Sequence, residues 1–346
     1  MTSREIVQRC LNFDNPERMP RDTWLLPWAN IHIPEGVKEL ESKYPSDFIH
    51  AEGFYKTSPL VCGDMYGVGT YIDEWGVVWN NAQAGIIGKV KDPIVKDLKD
   101  PSTVVPPYDI LPDDVDDFRN KVNEFCASTD KFVIAGCLPR PWERYQFLRG
   151  TQNAMMDVML DEDAARGIFK TIHEFYMKEV ELWSSTDVDG IWFMDDWGSQ
   201  TQLLIPPRIW RDMFKPMYKD YCDLAHKNGK HALMHSDGCI AEIYEDLIEV
   251  GVDAVNSQIF CMDMADLQKR AKGKITFWGE IDRQHVLPSK DAEVGREAVR
   301  KTAKYLYDPS GGIIAQFELG AGANPQTALA VYEEWDRVQG IAVKNV

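Results

Sequence analysis

From about residue 130 onward, short apolar runs alternate with longer amphipathic stretches. Residues 132–136, 190–194, 230–234, 253–256, 275–278 and 313–317 are mostly apolar on both faces and read as strands. Between and after them, the helical period predicts helices at 143–160, 161–183, 240–250, 264–271, 293–307 and 326–338. A further helix is read from Ile209, Trp210, Met213, Phe214, Met217, Tyr218, Tyr221 and Leu224. Gly229 ends that helix and Pro216 should kink it. The junctions repeat as well. Val188-Asp189-Gly190 and Val252-Asp253-Ala254 lead from helix to strand, as do Gly229-Lys230 and Gly273-Lys274.

Ahead of this repeat, Ser3-Arg4-Glu5 opens a helix, and Pro16 and Pro20 close it before a strand at 21–25. Residues 66–87 alternate and carry Gly67, Gly69, Gly76 and Gly85, which predicts a β-hairpin excursion. A proline-rich loop at 100–112 leads into a helix at 113–125. Strands buried on both faces and separated by amphipathic helices require a parallel sheet covered on both sides. Six or more such units favour closure. The expected fold is therefore α/β: a single (β/α)8 TIM barrel domain over residues 1–346, with an N-terminal helical and β-hairpin excursion. An open doubly wound sheet is the alternative, and the absence of a GxGxxG after any predicted strand weighs against it.

Composition narrows the function classes. At 346 residues and 44% hydrophobic content the chain can bury a large core. A net charge of −17 repels phosphate backbones, so no nucleic-acid partner is expected. No apolar run is long enough to span a membrane, and the first residues lack the basic and apolar regions of a signal peptide. The expected location is cytoplasmic. Seven Cys without a CxxC pair do not form a disulfide framework, and most of them read as buried small hydrophobes.

In a barrel of this kind the chemistry lies at the C-terminal ends of the strands. Polar residues sit there repeatedly: Asp195-Asp196-Trp197-Gly198, His235-Ser236-Asp237-Gly238, Asn256-Ser257-Gln258, Gly279-Glu280-Ile281-Asp282 and Glu318-Leu319-Gly320. Turns favour Asp, but Glu280 and Glu318 are not turn formers, and their level argues for convergence on one site. The candidate catalytic residues are Asp195, Asp196, His235, Asp237 and Glu280. One of Asp195 and Asp196 should point inward, and the sequence leaves open which. Trp197, Gln258, Arg140 and Asp282 are candidate substrate contacts, with Arg140 and Arg144 placed to hold an anionic group. His235, Glu318 and Asp237 are the candidate metal ligands. His235 and Cys239 have an H-x3-C spacing, and Cys261 lies nearby in sequence, but burial is the expected fate of both cysteines. No GxSxG, Walker loop or HExxH is present.

Several of these segments together resemble the uroporphyrinogen decarboxylase superfamily. They are the opening Thr2-Ser3-Arg4-Glu5 to Asn15-Pro16-Glu17-Arg18-Met19-Pro20, Asp195-Asp196-Trp197-Gly198-Ser199-Gln200, and Pro206-Pro207-Arg208-Ile209-Trp210 through Lys215-Pro216. To these are added His235-Ser236-Asp237-Gly238 and Phe277-Trp278-Gly279-Glu280-Ile281-Asp282 with Leu287-Pro288. The resemblance implies a barrel enzyme of one of two kinds. One decarboxylates acetate side chains of a tetrapyrrole. The other moves methyl groups between a corrinoid protein and a thiol or methylated small molecule, usually with zinc. The decarboxylases carry an Arg-Gln-Ala-Gly-Arg-type segment near the N-terminus, where this chain has Arg21-Asp22-Thr23-Trp24-Leu25-Leu26 with no second Arg. The methyltransferase branch is therefore the nearer one.

Members of that branch that methylate a thiol show His-x-Cys and a distant Cys as zinc ligands. Here His235 matches the His, Asp237 stands in place of the Cys, and Glu318 is the only obvious ligand near the distant position. The resemblance then implies an oxygen-rich site suited to a demethylase of a methyl ether or amine, or to a metal-free acid. Its cofactors would be zinc and a methylcorrinoid carried by a corrinoid-binding partner protein. A small methylated molecule or thiol would be the substrate, and a homodimer stays open. The alternatives are a cofactor-free decarboxylase, with Asp195 as proton donor and Arg140 or Arg144 on carboxylates, and a non-catalytic barrel that binds a corrinoid or tetrapyrrole.

Overall fold

A computed structural model describes residues 1–342. Strands β1 (Arg21–Leu25) and β2 (Phe48–His50) come first, followed by β3 (Gly69–Ile72), β4 (Val78–Asn81) and β5 (Lys89–Asp92). Then come β6 (Phe132–Ile134), β7 (Gly190–Met194), β8 (His231–Ser236), β9 (Ala254–Ser257), β10 (Thr276–Trp278) and β11 (Ile313–Leu319). Eight of them form one parallel sheet in the order β1-β11-β10-β9-β8-β7-β6-β2. Across the remaining gap the Asp47 amide donates to the Arg21 carbonyl at 2.8 Å. The buried Asp47 carboxylate braces this seam, accepting from Arg18, Ser3 and the Arg21 amide. The fold is the expected (β/α)8 TIM barrel.

Helix Ser3–Leu11 begins with a capping box between Thr2 and Glu5. Its Val7, Cys10 and Leu11 pack with Phe48, Phe132, Leu233, Trp278 and Ile314, which closes the end of the barrel away from the strand C-termini. Trp24 and Trp192 complete this inner cluster.

The excursion between β2 and β6 is larger than a hairpin, since β5 adds a third antiparallel strand to β3 and β4. The stretch read as one helix at 143–160 is two, Pro141–Arg149 and Thr151–Leu160, broken at Gly150 with φ 85°. The stretch around Pro216 is also two helices, Pro207–Met213 and Lys215–Lys227, as a proline without an N–H requires. Helices Pro27–His32 and Pro34–Lys43 and strand β2 add to the elements that the sequence pattern predicts. Both helices start on a proline, which suits the first turn of a helix yet resembles a break in sequence.

Side chains alternate along a strand. Trp192, Leu233, Ala254, Trp278 and Ile314 face the barrel interior. Continuing outward by steps of two reaches Met194 and Asp196, His235 and Asp237, Asn256, Glu280, and Gln316 and Glu318. The intervening Ile191, Phe193 and Asp195 face the helices and are fully buried.

Candidate active site

The strand ends open into a cavity of ≈ 640 Å³ whose lining includes Asp196, His235, Asp237, Arg283 and Glu318. Arg283 also borders a smaller cavity of ≈ 200 Å³, lined by Gln258, Cys261, Glu280 and Asp282 among others.

His235 is buried and oriented from behind. The Asn256 amide nitrogen donates to the Trp278 carbonyl at 2.7 Å, which turns its oxygen toward His235 Nδ1 at 2.6 Å. Nδ1 is thereby the donor of that bond, and Nε2 is the atom presented to the cavity. Nε2 lies 3.5 Å from Asp196 Oδ1 and 3.6 Å from Asp237 Oδ1. Burial alone would lower the imidazole pKa, but Asp196, Asp237 and Asn256 outweigh it and raise it to about 10. The same contacts act on Asp196. Burial raises its carboxyl, while His235, the Asp237 amide at 3.0 Å and Arg283 bring it below the ordinary value.

Asp195 and Asp196 point in opposite directions. Asp195 accepts from the Trp142 amide at 3.0 Å, the Glu143 amide at 2.7 Å and the Tyr218 hydroxyl at 2.6 Å. It caps helix Pro141–Arg149 from the side of β7. Burial, then Glu143, pushes its carboxyl well above the usual range against the pull of these donors. Trp197 also lies in the core. Its indole N–H donates to Tyr218 at 2.8 Å and its ring stacks on Trp142 with centroids 5.3 Å apart.

Arg283 ties the acids together. It donates to Glu318 at 3.0 Å and to Asp237, and its Nε lies 3.6 Å from Glu280. Glu280 is 2% exposed, and neither of its carboxyl oxygens has a hydrogen-bond partner. Burial raises its pKa to about 8, with Arg283 opposing. Gln258 bridges the turn after β8, accepting from Gly238 and donating to Asp237, both at 3.0 Å. Asp282 accepts from the Gln284 and His285 amides and so shapes its own turn. Arg140 and Arg144 both line the main cavity, and Arg144 is ion-paired there with Asp73 and Glu74 of the excursion. Cys239 and Cys261 are partly buried, and all seven cysteines are free.

Two backbone turns meet under this cluster. The Gly198 amide donates to the Asp237 carbonyl at 3.0 Å, and the Cys239 amide to the Ser199 carbonyl at 2.7 Å. A Cβ on either Gly198 or Gly238 would strike the other's backbone.

The zinc implied by the resemblance is testable against these donors. A tetrahedral zinc with bonds of about 2.0–2.1 Å needs donors roughly 3.4 Å apart. His235 Nε2 lies close to that spacing from each carboxylate oxygen, and the three atoms lie within 4.8 Å of one another. They fit the ion. Glu318 is outside that group and is bound by Arg283 instead.

Three groups in these cavities were not singled out in the sequence: Arg283, Glu143 and Glu179. Arg283 carried a signal, as an arginine one residue after Asp282 in an otherwise acidic turn. Glu143 Oε2 is buried without a partner, and burial, then Asp196, raises its pKa to about 7. Burial raises Glu179 to about 8. Nothing in their helical patterns marks either one.

Residues 81–335 match the family described as Uroporphyrinogen decarboxylase (URO-D). No curated protein matches the chain. Among solved structures, a methyltransferase from Methanosarcina mazei has a TM-score of 0.69 at 11% identity, covering 97% of this chain and 99% of that one. At that identity the likeness is one of fold. The xylanase TsXylA from Thermoanaerobacterium saccharolyticum reaches a TM-score of 0.40 at 9% identity, covering 88% of this chain and 87% of that one. No helix among the described residues is long and apolar enough to cross a membrane.

Proposed function

The chain belongs to the uroporphyrinogen decarboxylase (URO-D) family, and from that membership we propose a methyltransferase-like enzyme. It moves a methyl group between a small methylated substrate or thiol and a corrinoid carried by a partner protein. The observation that carries this reading is His235 Nε2 facing Asp196 and Asp237 at the base of a ≈ 640 Å³ cavity. The nearly full-length likeness to a methyltransferase fold supports it.

The substrate's heteroatom is placed against His235 Nε2, with its methyl group toward the open mouth. A corrinoid carried by the partner would supply or accept the methyl group at that mouth, so the partner would dock over it. Zinc held by Asp196, His235 and Asp237 would supply Lewis-acid polarisation of the heteroatom and would favour a thiol as its thiolate. The residues themselves account for the proton. With Nε2 free of metal, the bonding pair stays on the heteroatom as the methyl carbon leaves oxygen or nitrogen, and the heteroatom takes a proton from His235 Nε2; with zinc on Nε2 that proton is absent, and polarisation by the ion would stand in its place. Asp196 and Asp237 keep His235 charged, and Asn256 keeps its ring aimed. Glu280, uncharged below about pH 8, is a second proton source behind Arg283.

The test is incubation of the purified chain with a corrinoid protein and methyl ethers, amines or thiols, read by the visible spectrum of the corrinoid. The expected result is a methyl-dependent spectral change that His235→Ala abolishes. No change with any methyl compound, together with CO₂ release from a carboxylated tetrapyrrole, would place the chain with the decarboxylases. Neither activity would leave a binding barrel.

A further inference from the structure

Five cationic side chains border the main cavity: Lys56, Arg140, Arg144, His235 and Arg283. Four of them are matched by acids. Lys56 pairs with Asp113 at 2.7 Å, and Arg144 with Asp73 at 2.7 Å and Glu74 at 3.1 Å. His235 faces Asp196 and Asp237, and Arg283 bridges Asp237 and Glu318. Arg140 alone has neither an ion pair nor a side-chain hydrogen bond among the described residues. Glu143 and Glu179 are near enough for Arg140 to pull their carboxyls down against burial, but neither is within ion-pair distance of it, so its donors are left free.

Its position is fixed from below. Arg140 directly precedes Pro141, and Asp195 caps the next two amides, Trp142 and Glu143. The excursion brings Tyr66, Tyr71 and Trp79 to the same cavity, which Phe147 also lines. Trp79 and Phe147 meet edge to face with centroids 4.7 Å apart. These rings make flat apolar walls, and a guanidinium with free donors beside them is built for a planar anion.

We propose that Arg140 anchors the carboxylate of an aromatic acid whose ring lies against the apolar wall that the excursion aromatics and Phe147 form together. The assignment of its far end to His235 rests on the methyl-transfer reading; the carboxylate subsite does not. Glu179 lines the same cavity. With its pKa raised by burial to about 8, at neutral pH it offers an O–H donor to the ligand more than an opposing charge. The excursion thus acts as the specificity wall of the barrel, and Arg140 as its polar anchor.

The experiment compares benzoate with benzamide, its neutral isostere, by calorimetric titration of the full chain and of Arg140→Gln and Arg140→Lys. A charge-assisted bidentate contact should make benzoate bind at least about tenfold tighter than benzamide in the parent chain. Arg140→Gln should bring benzoate down to the benzamide level and leave benzamide unchanged, and Arg140→Lys should retain part of the preference. Circular dichroism melting checks that each variant folds. Equal affinity for the two probes, no binding of either, or benzoate binding undiminished in Arg140→Gln overturns the proposal. Selective benzoate binding without any methyl transfer would sink the reaction and keep the subsite. Methyl transfer from neutral donors only, indifferent to Arg140→Gln, would do the reverse.

Discussion

Asp195 sits beside the catalytic candidate Asp196 in sequence, but its three hydrogen bonds predict a role in stability that is measurable without knowing the substrate. Replacing it by Ala removes the acceptor of the Trp142 and Glu143 amides and of the Tyr218 hydroxyl, all in a fully buried setting. Each orphaned buried donor costs about 1–3 kcal/mol. Relief of the buried carboxylate's own desolvation offsets part of the sum, so the net expectation is about 3–5 kcal/mol. That is a large share of the roughly 5–15 kcal/mol that holds a typical domain together. Asp195→Asn keeps the shape and one strong acceptor but turns an NH₂ toward a donor, and should lose about 1–3 kcal/mol. Tyr218→Phe should lose a similar amount, because it also strips the Trp197 indole of its acceptor. Urea unfolding of the single variants and the Asp195→Ala/Tyr218→Phe double variant reads these losses as midpoint shifts at constant slope. The two sites touch, so the double variant should lose less than the sum of the singles. If Asp195→Ala unfolds within about 1 kcal/mol of the parent, or if the two losses simply add, the capping account is wrong.

Three further outcomes are expected. Zinc should bind in one equivalent, be lost in His235→Ala, and release about one proton per ion, since metal and proton compete for the same Nε2; a chelator-competition titration measures all three, and a Zn²⁺ stoichiometry unaffected by His235→Ala would discard the site. Glu280 has a folded pKa of about 8 against the ordinary 4.5, so its contribution is fully present below about pH 4.5 and is lost as pH rises through about 8. Glu280→Gln should therefore raise the unfolding free energy from urea titration at pH 8.5 by a few kcal/mol (roughly 1.4 per pKa unit) and change little at pH 4.5, and a gain that is equal at both pH values contradicts the assignment. Gly238→Ala must accept a side chain at φ 79° against the Gly198 backbone, at about 2–5 kcal/mol for strain and overpacking together; an unchanged thermal midpoint would show that the two turns do not meet.

The alternation of apolar runs and amphipathic stretches made the barrel legible, because a doubly covered parallel sheet needs strands of that kind. The strand-end level of the site followed from the same pattern. The split between Asp195 and Asp196 was not legible, because Ile191, Trp192, Phe193 and Met194 are all apolar and only the packing of Trp192 inside the barrel tells the two faces apart. The two-residue step from Trp192 through Met194 lands on Asp196 and puts Asp195 outside, among Ile191 and Phe193. The segments that escaped are those where local pattern is thin. β2 is only Phe48–His50, too short to show alternation, and its place is set by pairing with β6. Arg283 and Glu179 gain their meaning from neighbours distant in the chain, so no spacing rule marks them. Trp197 looked like a cavity aromatic, but its indole N–H found a buried partner in Tyr218, a contact made across the fold.

The meeting of Gly198 and Gly238 separates two properties that loop-built sites usually mix. Because the backbones of the turns after β7 and β8 touch directly, with no side chain between them, the separation of residues 196 and 237 is set by main-chain contact. Which atoms occupy that separation is left to the residues alone. A frame of this kind lets donor identity drift, from thiolate to carboxylate or back, through single replacements that leave the geometry intact. Hard and soft versions of one pocket are then near neighbours in sequence space, while a change at either glycine would be felt by every version at once.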